Sequence, residues 1–398
     1  MKLIEFKEYN NVSGHTLNKK KVAITVLLLS VIFIVLVYTL LYSCSPKFRN
    51  WTDMHVLMKT VYQGKLATVD TDSNSNSSTI VYDKYVALLN NNKLDIYNPS
   101  GNVVSTIEMN ISNPMFASNG KHAVIAEKEK EKIYLLSGNK MSWTKDVDGS
   151  ISRVDVNENG YVSVVCSGTT YKAIVIVFDQ DGKELFKTYI PTNKVVDCTI
   201  SSDNKYLSFA EVDTSGTLIK SSVKTISIKD AKSSSDNAIV NKYEMPTNSL
   251  VIDLKYQGSK NLICMCDDSI NVLTDGKIQK IFDFKENNKS YSFAGIELIN
   301  SIYEVEEVLN DESNQSSNLK LINTGTKAER KYAIPGIAKS TLSNGDITAV
   351  NLGTEVYFVD TKGWLRKKYV AAEEIRNVAI SNKIAAIIFR DHIEILVL

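Results

Sequence analysis

The residue types that most often do chemistry, cysteine and histidine, are few in this sequence and are not grouped. No Cys-x-x-Cys pair occurs, and no cysteine stands at zinc-ligand spacing from a histidine. The residues in question are Cys44, Cys166, Cys198, Cys264, Cys266, His15, His55, His122 and His392. Cys264 and Cys266 share one face of a predicted strand and are therefore poor disulfide partners. We predict buried free thiols, no metal site and no cofactor.

Three acidic segments are better explained as turns than as sites. Residues 179–182 (Asp-Gln-Asp-Gly) resemble the start of a calcium loop but lack its distal Glu and further oxygen ligands. Asp267 and Asp268 are adjacent, so their side chains are expected to point in opposite directions rather than to share acid–base work. Residues 127–132 alternate Glu and Lys, which indicates a solvated hairpin tip with opposite charges paired across it.

Catalytic sequence motifs do not occur in the chain. There is no nucleophile elbow, phosphate loop, zinc-protease helix or dinucleotide fingerprint. We therefore assign no catalytic, cofactor-binding or metal-binding residue, and a non-enzymatic protein is favoured.

Composition restricts the partners. Of the 398 residues, 43% are hydrophobic and 23% are charged, as is usual for a globular protein. The net charge of +1 leaves no basic excess to neutralise phosphates, so nucleic acid is not an expected partner. The abundance of Lys, Asn and Ile suits an AT-rich bacterial genome. The Asn-x-Ser/Thr sequons beyond the predicted membrane helix matter only in a host that glycosylates exported proteins, namely Asn50, Asn76, Asn110, Asn288 and Asn314.

A membrane-spanning helix is predicted from Val22 to Tyr42. These 21 residues contain no charge, Pro or Gly, and a helix of this length reaches about 32 Å, enough to cross the bilayer core. Three consecutive lysines end at Lys21, whereas only Lys47 and Arg49 lie near the other end. This bias predicts an N-terminus in the cytoplasm and an exported C-terminal domain. No Ala-x-Ala site follows, which favours an uncleaved signal anchor in the cell membrane.

The predicted organisation has four parts. Residues 1–21 form a cytoplasmic tail, residues 22–42 the membrane helix, residues 43–63 a juxtamembrane stem and residues 64–398 an extracytoplasmic domain. Lipidation at Cys44 is an alternative to the uncleaved anchor, because residues 41–44 resemble a lipoprotein cleavage box.

The stem carries an amphipathic pattern. Apolar residues recur there at spacings of three and four, at Trp51, Met54, Leu57, Met58 and Val61. This pattern predicts a helix close to the membrane, with Trp51 either anchored at the interface or packed on the large domain.

The large domain is predicted to be a β-propeller. From residue 64 the hydrophobic pattern alternates, and short β-rich runs are followed by turns with Asp or Asn and Gly. The third strands of the repeated units are predicted to begin near Lys93, Lys132, Ala173, Ser221, Ser269, Asn318, Glu355 and His392. Their mean spacing is about 43 residues, typical of a propeller blade of four strands. Eight blades are predicted, with seven as the alternative because two units are degenerate.

The chain ends are expected to share one blade. The sequence stops after a third strand, and residues 65–70 form an unassigned strand that can supply the missing fourth. Three polar insertions, residues 72–78, 229–237 and 309–317, are predicted to be solvated loops.

Anchor, stem and degenerate propeller, with turns such as residues 360–363 (Asp-Thr-Lys-Gly), resemble an uncharacterised family of bacterial membrane-anchored propellers related to the quinoprotein-like superfamily. The resemblance extends over essentially the whole chain and implies a propeller fold. Quinoprotein dehydrogenases carry a Trp-docking motif in most blades. Of Trp51, Trp143 and Trp364, only the last two lie in the predicted propeller, so the resemblance implies no quinone cofactor and no functional residue.

The function expected from the sequence is a non-enzymatic module that binds an envelope protein or a cell-wall glycan. An alternative is a propeller enzyme or small-ligand-binding protein with a site in the central channel. A sensor that signals through a cytoplasmic partner is a third possibility. Clustered ionisable groups in the channel would favour the enzyme, and an exposed apolar patch would favour the partner module.

Overall fold

A computed structural model of the protein describes residues 19–71, 77–90, 92–234, 238–285, 291–310 and 314–398. The chain divides into two compact units, Met1–Met58 and Lys59–Leu398. His15, Asn76 and Asn288 lie outside the described residues, as does most of the predicted cytoplasmic tail.

The first unit contains two helices, α1 (Lys19–Cys44) and α2 (Pro46–His55). No residue of α1 is buried. Among the described residues, α1 alone is long and apolar enough to cross a membrane, and its length and position suit an anchor or a signal sequence equally. The helix predicted for the stem is α2, which starts at Pro46 after the N-cap Ser45. It ends at His55, so the prediction was wrong for the last three apolar positions of the pattern, Leu57, Met58 and Val61, which lie beyond the helix.

A hydrogen-bonded corner joins α1 to α2. Arg49 donates from Nε to the carbonyl of Tyr42 at 2.9 Å and from Nη2 to that of Ser43 at 2.7 Å. These carbonyls belong to the last turn of α1, which lacks intrahelical partners. The Tyr42 hydroxyl donates to Oδ1 of Asp53 at 2.8 Å. Two side chains of α2, Arg49 and Asp53, therefore hold the last turn of α1 in place.

The second unit is built from β-sheets, each forming one blade. Blades 1 to 4 consist of β3 (Ser78–Tyr82), β4 (Tyr85–Asn90), β5 (Lys93–Tyr97) and β6 (Val103–Glu108); β7 (Pro114–Asn119), β8 (His122–Glu127), β9 (Lys132–Ser137) and β10 (Lys140–Asp146); β11 (Ser150–Val156), β12 (Val162–Ser167), β13 (Ala173–Phe178) and β14 (Glu184–Ile190); β15 (Lys194–Ile200), β16 (Tyr206–Asp213), β17 (Lys220–Ser227) and β18 (Ile239–Glu244). The short helix α3 (Ile228–Ala231) lies between β17 and β18.

Blades 5 to 8 complete the ring. They consist of β19 (Val251–Gln257), β20 (Asn261–Cys266), β21 (Ser269–Thr274) and β22 (Lys277–Asp283); β23 (Tyr291–Gly295), β24 (Ser301–Asn310), β25 (Asn314–Asn323) and β26 (Glu329–Ile334); β27 (Ser340–Asn344), β28 (Ile347–Asn351), β29 (Glu355–Asp360), β30 (Leu365–Val370) and β1 (Thr60–Tyr62); β31 (Asn377–Ile380), β32 (Ile384–Ile388), β33 (His392–Val397) and β2 (Ala67–Asp70). The described residues thus form an eight-bladed propeller, as predicted.

In the blades the middle strands are buried and the outer strand is exposed to solvent. The third strand β13 (AIVIVF) is buried at every position, and the second strand β8 is buried at its first five. The outer strand β6 is exposed at every second residue or more. Middle strands therefore read as continuous apolar runs because neighbouring blades cover both of their faces, whereas outer strands face water on one side.

The ends of the propeller unit are joined as predicted. β2 pairs antiparallel with β33 and places Val69 opposite Ile393. One pairing was not predicted. β1, within the residues assigned to the stem, adds in parallel to the outer strand β30, with Val61 opposite Tyr369. The segment that enters the propeller is thus paired to two successive blades, which covers one sheet edge and closes the ring.

The predicted hairpin turns are present, and one of them receives a tryptophan. Oδ1 of Asp179 accepts from the amides of Asp181 at 3.0 Å and Lys183 at 2.9 Å. Trp143, from the outer strand of blade 2, donates from Nε1 to the Gln180 carbonyl at 3.1 Å. A Cβ added to Gly182, whose φ is +77°, would lie 2.9 Å from the Trp143 ring. Glycine is therefore required where blade 2 docks on blade 3.

The prediction of a solvated loop at residues 309–317 was wrong at its described ends. β24 and β25 extend into it as a long hairpin, and residues 311–313 lie outside the described chain. Ser317 is buried, and its hydroxyl donates to the Gly336 carbonyl at 2.9 Å. Polar composition was misleading here because cross-strand pairing satisfies the polar backbone even where side chains are hydrophilic.

The other two insertions are only partly described. Residues 72–76 and 235–237 lie outside the described chain. Residues 229–231 belong to α3 rather than to a loop, and Ala231 is buried.

The charged tip at residues 127–132 joins β8 to β9 and is solvated, as predicted. In the described chain no ion pair crosses this tip. Its backbone instead pairs with blade 3: the Glu129 amide donates to the Ile151 carbonyl, and the Ile151 amide donates to the Lys130 carbonyl, both at 2.9 Å.

Candidate channel site

The first strands of the blades surround a central channel. First strands of successive blades lie side by side, and β3 contacts β31, so that blade 1 meets blade 8. Two cavities of about 310 Å³ each occupy the channel. One lies toward the turns between first and second strands and is called the turn-side cavity; the other, called the inner cavity, lies between the strands themselves. Both are lined by Ser118, Asp155, Lys255, Glu297 and Asn344.

Blades 3 to 6 place charged side chains on the channel. These side chains, called the charged arc, are Arg153 and Asp155 on β11, Asp197 on β15, Asp253 and Lys255 on β19, and Glu297 just after β23. Asp155, Lys255 and Glu297 line both cavities and Arg153 lines the inner one, whereas Asp197 and Asp253 lie behind Arg153 and line neither cavity. Residues two apart on a strand point to the same side. The alternation Arg-x-Asp on β11 and Asp-x-Lys on β19 therefore directs both charges of each strand toward the same region.

One ionic group of the arc joins blades 3, 4 and 5. Nε of Arg153 lies 2.7 Å from Oδ1 of Asp197, and Nη2 lies 3.3 Å from Oδ1 of Asp253. The second carboxylate oxygen of Asp197 accepts from the Leu254 amide at 2.7 Å. The Asp197 side chain is 2% exposed and that of Arg153 is 47% exposed. The aspartate is thus fully enclosed, while the guanidinium remains open to solvent in the channel.

A second ionic group centres on Lys255. Its Nζ lies 3.1 Å from Oε2 of Glu297 and 3.8 Å from Oδ1 of Asp155. Lys255 therefore links the carboxylates of blades 3 and 6 through a longer contact on the Asp155 side.

The arc holds four carboxyl groups against two cations, so it is acidic. Burial raises the pKa of Asp253 to about 9, and the neighbouring charge of Asp197 adds to the shift, while Arg153 opposes it. Asp253 therefore carries a proton at neutral pH, next to Asp197. Burial also raises the pKa of Asp155, although Lys255 opposes the shift. Burial disfavours the charged form of Lys255, but Glu297 and Asp155 outweigh it and raise its pKa.

Among the described residues, the other half of the channel wall carries no charged side chain and is apolar in part, with Ser118, Ser343 and Asn344 beside the apolar residues. Blades 7, 8, 1 and 2 contribute the residues called the apolar arc: Leu342, Ala379, Val81, Met115 and Phe116. Phe116 is 45% exposed and Leu342 is 41% exposed, both toward the inner cavity. A cavity with one apolar wall and a few convergent polar groups is the usual form of a ligand site.

One hydroxyl at this wall has no partner. Ser343 lines the inner cavity, is 6% exposed, and its Oγ makes no hydrogen bond within the described part of the chain. A buried hydroxyl without a partner is unfavourable and marks a place where a bound group can donate or accept.

Residues 59–398 match DUF5711, a family of unknown function, and this range covers the whole propeller. The chain belongs to the DUF5711 family. The prediction of an uncharacterised family is thereby confirmed, while the membrane anchor of the family and its kinship with quinoprotein-like propellers stay predictions. No curated protein matches the sequence.

Solved structures similar to this DUF5711 protein share its fold at low identity. The C-terminal WD40 domain of Sif2 is 10% identical with a TM-score of 0.54, and the match covers 83% of this chain and 99% of that one. AztD from Citrobacter koseri is 9% identical with a TM-score of 0.50, covering 79% and 89%. A prolyl endopeptidase structure is 10% identical with a TM-score of 0.51, covering 76% and 50%. These matches show the propeller fold alone.

The residues singled out from the DUF5711 sequence are not brought to the channel as a site. Four of the five cysteines are buried and free, as predicted, whereas Cys44 is exposed. The Sγ atoms of Cys264 and Cys266 are 3.9 Å apart and form no disulfide. Asp267 accepts from the Leu250 amide and Asp268 from the Ser249 hydroxyl, both at 2.8 Å, so the paired acids hold a turn.

The histidines are dispersed in the structure as in the sequence. His122 is buried against Gly160 in the core. His55 lies on α2 beside Trp51, and His392 pairs with Asp391 at 2.8 Å on β33.

Sequence reasoning missed the charged arc altogether. The available signal was two strands that carry charges at alternate positions, Arg153 with Asp155 and Asp253 with Lys255, immediately before a turn. On an outer strand the same pattern is a solvated face. The pattern indicates a site only once β11 and β19 are known to be innermost strands, whose charges lie at the channel.

Proposed function

We propose that this protein is a membrane-anchored, extracytoplasmic propeller that acts as a non-enzymatic binding module in the cell envelope. It receives a ligand, or a projecting part of a protein or glycan partner, in its central channel. The observation that carries the proposal is the channel itself: two adjoining cavities with a charged arc on one side and an exposed apolar arc on the other.

Binding rather than catalysis is supported by how the carboxylates are engaged. Asp197 is enclosed by Arg153 and the Leu254 amide. Glu297 is paired with Lys255. These groups are held in fixed orientations by charged partners, which suits recognition of a ligand. A general base, by contrast, needs an accessible lone pair directed at the reacting proton.

A second candidate function, an acid–base enzyme, is favoured by one observation. Ionisable groups do cluster in the channel, which is the feature expected of an enzyme. Asp253 carries a proton at neutral pH next to the buried Asp197, and a carboxylic acid of this kind can serve as a general acid. Recovery of a chemically altered ligand with the wild type, but of the unaltered ligand with Asp253→Asn, would favour this candidate.

Anchoring through α1 is supported by the chain that follows it. The helix extends through Cys44, and α2 begins at Pro46, which leaves Ser45 as the single residue between them. Signal-peptide cleavage requires a site of small residues, whereas the hydrogen-bonded corner around Arg49 occupies this position. The lysines that precede residue 22 direct the N-terminus to the cytoplasm, so we place the propeller outside.

The proposal is tested by capture from cross-linked cells that produce the full chain with a C-terminal tag. Phe116→Asp puts a charge on the exposed apolar arc and should abolish capture of the specific partners. Met141→Asp is the matched control, since Met141 is 41% exposed on the outer strand of the same blade. A chain without residues 22–42 should lose the same partners. Equal capture by Phe116→Asp and the wild type would overturn a channel-based function.

A further inference from the structure

We propose that the channel binds an organic cation with an apolar body, an amine or guanidinium group carried on an aliphatic or aromatic stem. This inference rests on the proposed function and names the chemical class of its ligand. It follows from the positions of the two arcs, which face each other across the same two cavities.

The charge of the lining selects a cation. The turn-side cavity is lined by the acids Asp155, Glu158 and Glu297 and by one base, Lys255. Glu158 is exposed at this end of the channel. A cleft with an excess of one sign of charge concentrates ligands of the opposite sign, especially where its walls are of low polarity. In this cavity an anion would meet a single base, Lys255, which Glu297 already pairs.

Asp155 is the residue that binds the cationic group of the ligand. Its closest ammonium, Nζ of Lys255, is 3.8 Å from Oδ1, whereas the same Nζ is 3.1 Å from Oε2 of Glu297. Lys255 is thus engaged mainly by Glu297, and Asp155 is the least compensated acid of the arc. Asp155 also lines both cavities, so a group bound to it reaches either one.

The apolar arc favours a ligand whose remaining part, beyond the cationic group, is apolar. The Phe116 and Leu342 side chains remain nearly half exposed in the inner cavity. Covering them with a hydrocarbon stem removes apolar surface from water, and an aromatic face close to a cation adds a favourable electrostatic contribution. Ser343, between the arcs, supplies an unused hydroxyl for a polar group on the ligand.

Binding should be linked to release of a proton. Asp253 is protonated at neutral pH. The ionisable groups around it are Asp197 on β15, Arg153 on β11, Glu297 after β23, Lys255 on its own strand and Cys264 on β20. A cation placed among these carboxylates stabilises the ionised form of Asp253 and lowers its pKa. Affinity should therefore rise with pH below about 9.

The test uses three probes of equal shape and different charge: phenethylamine, 2-phenylethanol and 3-phenylpropionate. Each is titrated calorimetrically into the full-length protein in detergent micelles, with protein-free micelles of the same detergent as the reference for partition into detergent. The amine should bind at least tenfold more tightly than the alcohol, and the carboxylate should bind more weakly still. Asp155→Asn should lower amine affinity at least tenfold.

A matched variant separates loss of this carboxylate from a general loss of charge. Glu374→Gln removes an acid from an exposed ion pair with Lys339 that does not line either cavity, and it should leave amine affinity unchanged. Equal thermal melting of all three proteins establishes that Asp155→Asn is folded. If it is not, Ser343→Ala serves as the second variant, with a smaller expected loss of several-fold.

Three outcomes overturn the inference. Tighter binding of the carboxylate than of the amine would show that the arc selects anions. Equal amine affinity for Asp155→Asn and the wild type would show that the arc does not hold the cation. If no probe binds while Phe116→Asp still abolishes partner capture, the cation inference is wrong and the channel-binding function stands; if capture is also unchanged, both fall.

Discussion

The two halves of the channel wall occupy the same position in the fold and have opposite chemistry. In blades 3 to 6 the innermost strands, or the residues just after them, present Arg153, Asp155, Asp253, Lys255 and Glu297. In blades 7, 8, 1 and 2 the corresponding strands present apolar side chains. The backbone does not require either choice, because the second and third strands supply the dry packing of each blade. Inner strands are thus free to carry function, and here they divide the channel into two contrasting walls.

Among the channel variants, the largest loss of stability is expected from breaking the ion pair at the buried end of the charged arc. Arg153→Met leaves Asp197, whose side chain is 2% exposed, without its cation. Breaking a fully buried pair costs about 3–5 kcal/mol. Because the Arg153 side chain is 47% exposed, we expect a smaller loss of about 2 kcal/mol in the free energy of unfolding, measured by denaturant unfolding.

The control for this variant is Lys339→Met, which breaks an ion pair that is exposed on both sides. It should change stability by less than about 0.5 kcal/mol. Equal losses for the two variants would mean that enclosure of Asp197 contributes nothing.

The apolar arc should contribute less to stability than the blade interiors. Phe116→Ala removes a side chain that is 45% exposed, so we expect a loss of about 1 kcal/mol rather than the 3–5 kcal/mol typical of a buried phenylalanine. Ile125→Ala, in the adjacent strand of the same blade and fully buried, should cost about 3 kcal/mol. Unfolding curves in which Phe116→Ala is the more damaging change would assign Phe116 to the core instead of to a binding wall.

The charged arc should also make stability depend on pH through Asp253. Its pKa in the folded protein is about 9, against about 4 when unfolded. The folded state therefore binds the additional proton between these values, and this group lowers stability as pH rises through that window. Asp253→Asn removes this titrating group. The melting temperature of the variant, relative to that of the wild type at the same pH, should therefore increase from pH 5 to pH 8. Asp346→Asn, at an exposed ion pair with Arg366, should show no such gain.

The smallest effect is expected at the unpaired hydroxyl between the arcs. Ser343→Ala removes a buried oxygen that has no hydrogen-bond partner in the described chain, so stability should be unchanged or rise by about 0.5 kcal/mol. Ser317→Ala is the contrast, because the Ser317 hydroxyl donates to one backbone group and accepts from another, and its loss should cost about 1–2 kcal/mol. A clear destabilisation by Ser343→Ala would mean that this hydroxyl already has a partner.

Much of the architecture was predictable from the residues because it depends on local patterns. The third strands β5, β9, β13, β21, β29 and β33 begin at the residues predicted, since a Gly-containing turn after a short apolar run is a local signal. β17 and β25 start one and four residues earlier than predicted, in the two degenerate units. The closure by β2 followed from counting strands.

Hydrophobic period and turn chemistry are local signals, so the residues alone predict the apolar N-terminal helix and the propeller, and they favour eight blades over seven. The folded ring is needed to show that Asp155, Asp197, Asp253 and Glu297, each from a different blade, lie close together near the axis. It is also needed to show that β1 joins blade 7. Both are consequences of ring closure, which brings residues far apart in the chain together at the axis, and no local pattern encodes which of them will meet.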